Sequence, residues 1–195
     1  YNKHSGLQLS SIIGHEITHA FDYLSSELDT WSENSRRIYN ERINCIIEQY
    51  SNYRVPEIEK NFNISEFFLN GRRTLKENIA VSFSFLNFEL IKIKFSLKDN
   101  GGVKLSYYAM KSRSKDLKLV GLEDFSSEKL FFLSFAQAFC SVERPEKMKS
   151  KVENDVHALN KFRVIGSLSN FEEFSETFNC PLASPMNPVN KCAVW

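Results

Sequence analysis

The apolar residues Leu9, Ile12, Ile13, Ile17 and Phe21 recur at helical spacing near the start of the chain, around two histidines, His15 and His19. A stretch with that period folds as a helix with one apolar face. Residues four apart lie on the same side of a helix, so both imidazoles can reach one point in space. His15-Glu16-Ile17-Thr18-His19 is therefore an HExxH pattern on a predicted helix. Neutral imidazole binds zinc at about 2.0–2.1 Å. Glu16 stands where it can take a proton from a zinc-activated water and pass it to a leaving amine. Two histidines one turn apart also arise by chance. The combination with Glu16 on an amphipathic helix favours the metal reading.

Most of the remaining chain also reads as helix. A second helix is predicted from Thr30, with Glu33 completing a capping box, and it carries Ile38, Ile43, Ile46, Ile47 and Tyr50. Shorter helices are predicted from Thr74, over Val103 to Met110, from Ser126 or Ser127 through the apolar run Leu130 to Cys140, and over Asn170 to Phe178. One segment differs. From Val81 to Lys98 apolar residues at 81, 83, 85, 91, 93, 95 and 97 alternate with Ser82, Ser84, Lys92, Lys94, Ser96 and Lys98, which reads as strand.

With 195 residues, 42% hydrophobic and 25% charged, the chain can build one ordinary domain with a core. A net charge of +1 gives no global field favouring nucleic acid or a membrane surface. Glu89, Lys92 and Lys94 rule the longest apolar-looking stretch out as a membrane span. The opening residues, Tyr1 to His4, carry neither an initiator methionine nor a signal-peptide pattern, so the chain reads as a fragment. None of Cys45, Cys140, Cys180 and Cys192 has zinc-ligand spacing; their even number is weakly consistent with disulfides. Asn63-Ile64-Ser65 is the sole glycosylation sequon, a triplet common by chance.

A tetrahedral zinc site needs a third protein ligand. Asp22 and Ser25 occupy the positions where a metzincin has glycine and its third histidine, which excludes that class. Glu41 lies at a plausible distance along the chain, but its surroundings read as a solvated helix face. Glu77 follows Thr74 by three residues and has two readings, a capping-box glutamate or a ligand.

Taken together, these residues resemble the neprilysin and endothelin-converting enzyme family of zinc metallopeptidases. Ile13 to Asp22 is similar to that family's zinc helix, and Glu77-Asn78-Ile79-Ala80 to the start of its Glu-Asn-Ile-Ala-Asp-Asn-Gly-Gly motif. Phe131 to Gln137, Arg144-Pro145-Glu146, Asp155-Val156-His157, Phe162-Arg163 and the ending Pro185 to Trp195 also match, in family order. The resemblance implies a mainly α fold with little β. It would be a C-terminal catalytic subdomain of the zincin type, thermolysin-like and in the gluzincin class, spanning residues 1–195. It implies one zinc ion held by His15, His19 and Glu77, Glu16 as general base and His157 as oxyanion stabiliser. Arg163 would grip the substrate backbone, and Phe139 and Ile12 would help to bind substrate. Cys45 and Cys192 would pair within the chain, whereas Cys140 and Cys180 would bond to an N-terminal lobe that is missing here. The implied activity is endopeptidase cleavage of short peptides on the amino side of hydrophobic residues. The implied location is extracellular or at the cell surface, the parent being a type II membrane protein or secreted. The alternative is a truncated or decayed chain that at most binds peptides or partners.

The chain departs from that pattern after Ala80. In the family an aspartate four residues beyond the ligand glutamate orients the first zinc histidine. Here that position holds Val81, and Asp-Asn-Gly-Gly appears only at Asp99 to Gly102. Removing residues 81–98 restores the motif, with Asp99 as the orienting residue, so the segment reads as an insertion: a translated, unspliced intron or an extra loop. The loop from Asp22 to Trp31 is shorter than the family's, Lys76 stands where glycine is common, and Ala158 to Lys161 replaces the usual turn after His157.

Overall fold

The computed structural model describes residues 2–19, 31–82, 102–113 and 120–194. Their helices are α1 (Asn2–His19), α2 (Glu33–Ser51), α3 (Pro56–Phe62), α4 (Leu75–Ser82), α5 (Gly102–Arg113), α6 (Ser127–Ala138), α7 (Pro145–Asn154), α8 (Asn160–Ser169) and α9 (Glu172–Thr177). Among the described residues no strand forms. Extended backbone pairs only at two isolated bridges, Arg54 with Phe68 and Ser184 with Asn187. The mainly α architecture is thus as expected.

Local chemistry sets the helix ends. Helix α2 is capped by Ser32, whose Oγ accepts from the Ser35 N–H, so it starts later than the Thr30 proposed from sequence; Thr30 itself lies outside the described residues. Ser126 caps α6 in the same way through the Lys129 N–H, and that helix ends at Ala138 rather than Cys140. Proline at the first turn opens α3 and α7, where its missing N–H costs nothing.

The strand expected over 81–98 fails at its first two residues. Val81 and Ser82 complete the last turn of α4, and the Val81 side chain is buried. Val81 lies four residues after Glu77, so it continues a helical face that already carries buried residues. Residues 83–98, and Asp99 with them, lie outside the described residues.

Two cores hold the helices. One gathers Tyr39, Ile43, Ile46 and Tyr50 of α2 with Val55, Ile58, Leu75, Ile79, Phe162 and Val194. The other is aromatic: Tyr107 stacks on Phe132 at 5.3 Å and meets Phe131 and Phe171 edge-on at 5.4 and 5.3 Å, with Val81, Val103 and Leu168 around them. Full burial of each large apolar side chain contributes about 1.5–3 kcal/mol. Helix α4 supplies residues to both cores, Leu75 and Ile79 to the first and Val81 to the second. Helix α8 lies against α2 at Gly166, where a Cβ would sit 2.4 Å from the Tyr50 Oη. A disulfide joins Cys45 of α2 to Cys192 near the C-terminal end, with Cα atoms 5.5 Å apart. Beside it Arg42 donates to the Val194 carbonyl, and the Cys192 N–H donates to Asn170 Oδ1. Cys140 and Cys180 are not disulfide-bonded. No helix among the described residues is long and apolar enough to cross a membrane.

Candidate metal centre

Helix α1 presents His15 and His19 from successive turns, and α4 presents Glu77 to both. His15 Nε2 lies 3.1 Å from His19 Nε2 and 3.1 Å from Glu77 Oε2, and His19 Nε2 lies 3.5 Å from the same carboxylate oxygen. Ligands held tetrahedrally about 2.0–2.1 Å from a zinc ion stand about 3.3–3.4 Å apart. The triangle therefore has the size that one such ion requires. Two aromatic nitrogens and a carboxylate oxygen are also the donor types that zinc takes in gluzincin-like sites.

Glu77 is not a capping residue. The Thr74 N–H donates to the Asn70 carbonyl, and the Thr74 hydroxyl accepts from Asn78 Nδ2, so neither group engages the Glu77 carboxylate. Burial acts to raise the Glu77 pKa. The hydrogen bond with His15 and the charges of His157, His19 and His15 outweigh it, and the carboxyl is held below its ordinary range. Glu41, the other candidate, forms an exposed pair with Arg37 one turn away, as its solvated-face reading expects.

His157 enters from the segment between α7 and α8. Its Nε2 lies 3.1 Å from Glu77 Oε2, and its Nδ1 lies 2.8 Å from Asp155 Oδ1. That oxygen also accepts from the His157 backbone N–H at 2.9 Å. A carboxylate thus faces each ring nitrogen. Asp155 fixes the ring, a role the sequence reading did not assign, although the Asp-x-His spacing was its signal. The backbone hydrogen bond from His157 is the main cause of the lowered Asp155 pKa. The residues that replace the usual turn, Ala158 and Leu159, are buried, and Asn160 starts α8.

Arg163 projects from α8, with its guanidinium carbon 4.9 Å from the centre of the Phe139 ring. Burial pushes its pKa down from the usual value, and the negative charge of Glu77 is the largest of the influences opposing this. Its Nε is buried without a hydrogen-bond partner among the described residues, which leaves a donor for a ligand. Glu16 is exposed on α1 beside the two histidines. Ile12 is exposed on α1. On the far side of the triangle, His15 Nδ1 is buried and has no hydrogen-bond partner among the described residues. Asp99, expected to fill that role, lies outside them.

The fold and the sequence have counterparts among known proteins. A solved structure of a Mycobacterium tuberculosis zinc metalloprotease, ZMP1, in complex with inhibitor, superposes with a TM-score of 0.71 at 21% identity. The superposition covers 92% of this chain and 26% of that one, so the likeness is one of fold. An endothelin-converting enzyme homolog of Locusta migratoria is 42% identical over 195 residues, covering 94% of this chain and 23% of that protein. Endothelin-converting enzyme 1 of Rattus norvegicus is 40% identical over 197 residues, covering 94% of this chain and 22% of that enzyme. The chain thus spans less than a quarter of the length of these relatives. A sequence model of peptidase family M13 matches residues 8–88 and 91–194, a span that takes in both helices of the metal triangle and the His157 and Arg163 segments. Matched through every element that builds the centre, the chain belongs to peptidase family M13.

Proposed function

We propose that this chain carries the metal centre of a zinc endopeptidase that cleaves short peptides on the amino side of hydrophobic residues. The carrying observation is the triangle of His15, His19 and Glu77, with edges of 3.1, 3.1 and 3.5 Å. These three residues would hold one zinc ion, which when bound supplies Lewis-acid activation of water and of the scissile carbonyl. Glu16 takes the proton of the attacking water and delivers it to the departing amine. His157, steadied by Asp155, donates to the negative charge that develops on the carbonyl oxygen. Arg163 donates to a backbone carbonyl of the peptide. Phe139 forms an apolar wall for the side chain that follows the cut. Beyond peptides, the further partner would be another lobe of the full-length enzyme, bonded through Cys140 and Cys180; nucleic acid is not a partner. The extracellular or cell-surface location and the insertion reading of residues 81–98 belong to the same proposal. Sequencing transcripts across Ala80 to Asp99 tests the insertion: its presence in most mature messages would end the intron version.

A second reading, a chain that binds peptide without cleaving it, draws support from the Nδ1 of His15, which has no partner among the described residues, and from Val81 one turn beyond Glu77. Zinc content and peptide turnover measured on the same sample separate the two. The enzyme reading expects one zinc per chain and turnover that disappears in Glu16→Gln while zinc is retained. Turnover that survives this substitution sinks the assigned mechanism. Stoichiometric zinc without turnover, even after residues 81–98 are excised, supports the second reading or shows that another lobe of the full-length enzyme is essential for turnover.

A further inference from the structure

We propose that Asn63 is a site of N-linked glycosylation and that the proximal sugar rests on the exposed ring of Phe62. The proposal rests on the extracellular reading above, and two features independent of the metal centre support it.

The first is how the sequon Asn63-Ile64-Ser65 is held. Asn63 closes α3 in the left-handed region, with φ of 51°, and the chain turns away from the helix there. The backbone after it is fastened from below. The Ile64 N–H donates to the Glu59 carbonyl at 3.1 Å, Arg54 Nη2 donates to the Ser65 carbonyl at 3.1 Å, and the Phe67 N–H donates to Glu59 Oε1 at 2.9 Å. Every one of those anchors uses backbone atoms of the loop. The Asn63 amide and the Ser65 hydroxyl, the two groups that a glycosyltransferase must read, are left exposed. A bulky oligosaccharide on Asn63 Nδ2 therefore displaces nothing in the fold. The adjacent Phe62 ring is 38% exposed, with the Lys149 ammonium 5.7 Å from its centre. The apolar C–H face of a sugar suits such a ring.

The second feature is the Cys45–Cys192 disulfide. Structural disulfides persist in the oxidising compartments through which secreted proteins pass, and those compartments also transfer oligosaccharide to asparagine.

The modification is a displacement. Asn63 Nδ2 attacks the anomeric carbon of a polyprenyl-diphosphate-linked oligosaccharide, and a new N–C bond forms. The bond from that carbon to the diphosphate oxygen breaks, its electron pair leaves with the diphosphate, and the amide nitrogen loses one proton to a base of the transferase. No oxidant or reductant is consumed.

The test uses the native protein from its source. Digestion with an amide-cleaving glycosidase in heavy-oxygen water converts a glycosylated asparagine to a labelled aspartate, read by mass spectrometry of the peptide spanning position 63. The same digest reports whether Cys45 and Cys192 are joined. Label at position 63 is the expected result. Unlabelled Asn63 in protein whose Cys45–Cys192 bridge is intact overturns the glycan and leaves the extracellular reading standing. Unlabelled Asn63 in protein with both cysteines reduced overturns both. For the contact with Phe62, secreted Ser65→Ala, which destroys the sequon without touching either ring or amide, should bind more of a hydrophobic dye than the parent. Equal binding overturns that contact.

Discussion

Reducing the Cys45–Cys192 bridge should lower the melting temperature of this chain by about 12 °C. The two cysteines are 147 residues apart, so the cross-link closes most of the chain into one loop. The chain-entropy relation for a loop of that size gives about 17 cal/mol/K, or about 5 kcal/mol at 25 °C. A chain of 195 residues unfolds with an entropy of about 0.4 kcal/mol per kelvin near its midpoint, and the ratio of the two figures gives the shift. The bridge fastens α2 to the C-terminal segment, behind the core on which α4 and α8 carry Glu77 and Arg163. The assay is calorimetry of oxidised and reduced protein in a Cys140→Ser, Cys180→Ser background, which leaves only this pair in play. The effect of the cross-link lies in the unfolded ensemble. Near-UV circular dichroism below the transition should therefore not change, while the denaturant m-value should rise on reduction because the freed chain exposes more surface. Melting temperatures within about 3 °C of each other would refute the loop-closure reasoning.

Four further outcomes follow from the geometry. Glu77→Gln removes the charge that faces three histidines, and zinc affinity measured by competition with a chelating dye should fall by more than about 100-fold. Val81→Asp sets a carboxylate one turn beyond Glu77, at a position buried in the aromatic core, and should raise zinc affinity by about 10- to 100-fold; unchanged affinity refutes the idea that the His15 ring lacks an orienting group. Gly166→Ala drives a Cβ to 2.4 Å from Tyr50 Oη, and urea titration should show a loss of about 1–3 kcal/mol although alanine is the better helix former by about 1 kcal/mol. The hydrogen bond from Arg54, followed by that from the Phe67 N–H, holds the Glu59 pKa below its ordinary value against burial. Its contribution to stability is therefore complete above the unfolded value of about 4.3 and is lost as pH falls through the lower folded value; Glu59→Gln should flatten the fall in melting temperature between about pH 5 and 3.

Helices with a long apolar repeat were legible in the residues alone. Helices α1, α2, α5 and α6 are each signalled by apolar residues at helical spacing, although the stripe that marks α1 stays outside the core, with Ile12, Ile13 and Ile17 exposed and Ser11 and Thr18 buried; the Ser126 cap is signalled by its side-chain chemistry. Helices α3 and α7 were not foreseen, because each is short and charge-rich, and its only strong signal is a proline at the first turn. Helix α8 was missed because its buried face includes Gly166, Ser167 and Ser169, residues that read as loop until a neighbouring helix is packed on them. The strand expectation fails at Val81 and Ser82, its only described residues, because a two-residue alternation cannot be told from the end of a helix that starts six residues earlier. In the metal centre, His15, Glu16 and His19 declare themselves by spacing. Glu77 does not, since a capping box demands the same residue at the same place, and only the use of the Thr74 N–H and hydroxyl by Asn70 and Asn78 separates the two. The service that Asp155 gives His157 depends on a turn that sequence reading leaves open.

Helix α4 has its opening turns seated in one core and its last turn in the other, with the Glu77 carboxylate between them. A beam clamped at both ends cannot pivot about either. The carboxylate therefore inherits the combined stiffness of two separate packings, and a tolerance of about 0.5 Å, of the kind metal ligation demands, can be met without any hydrogen bond to the side chain itself. The same arrangement makes distant positions tuning screws: trimming Phe132 or Ile46, neither a ligand, would slacken one clamp and let the ligand oxygen wander.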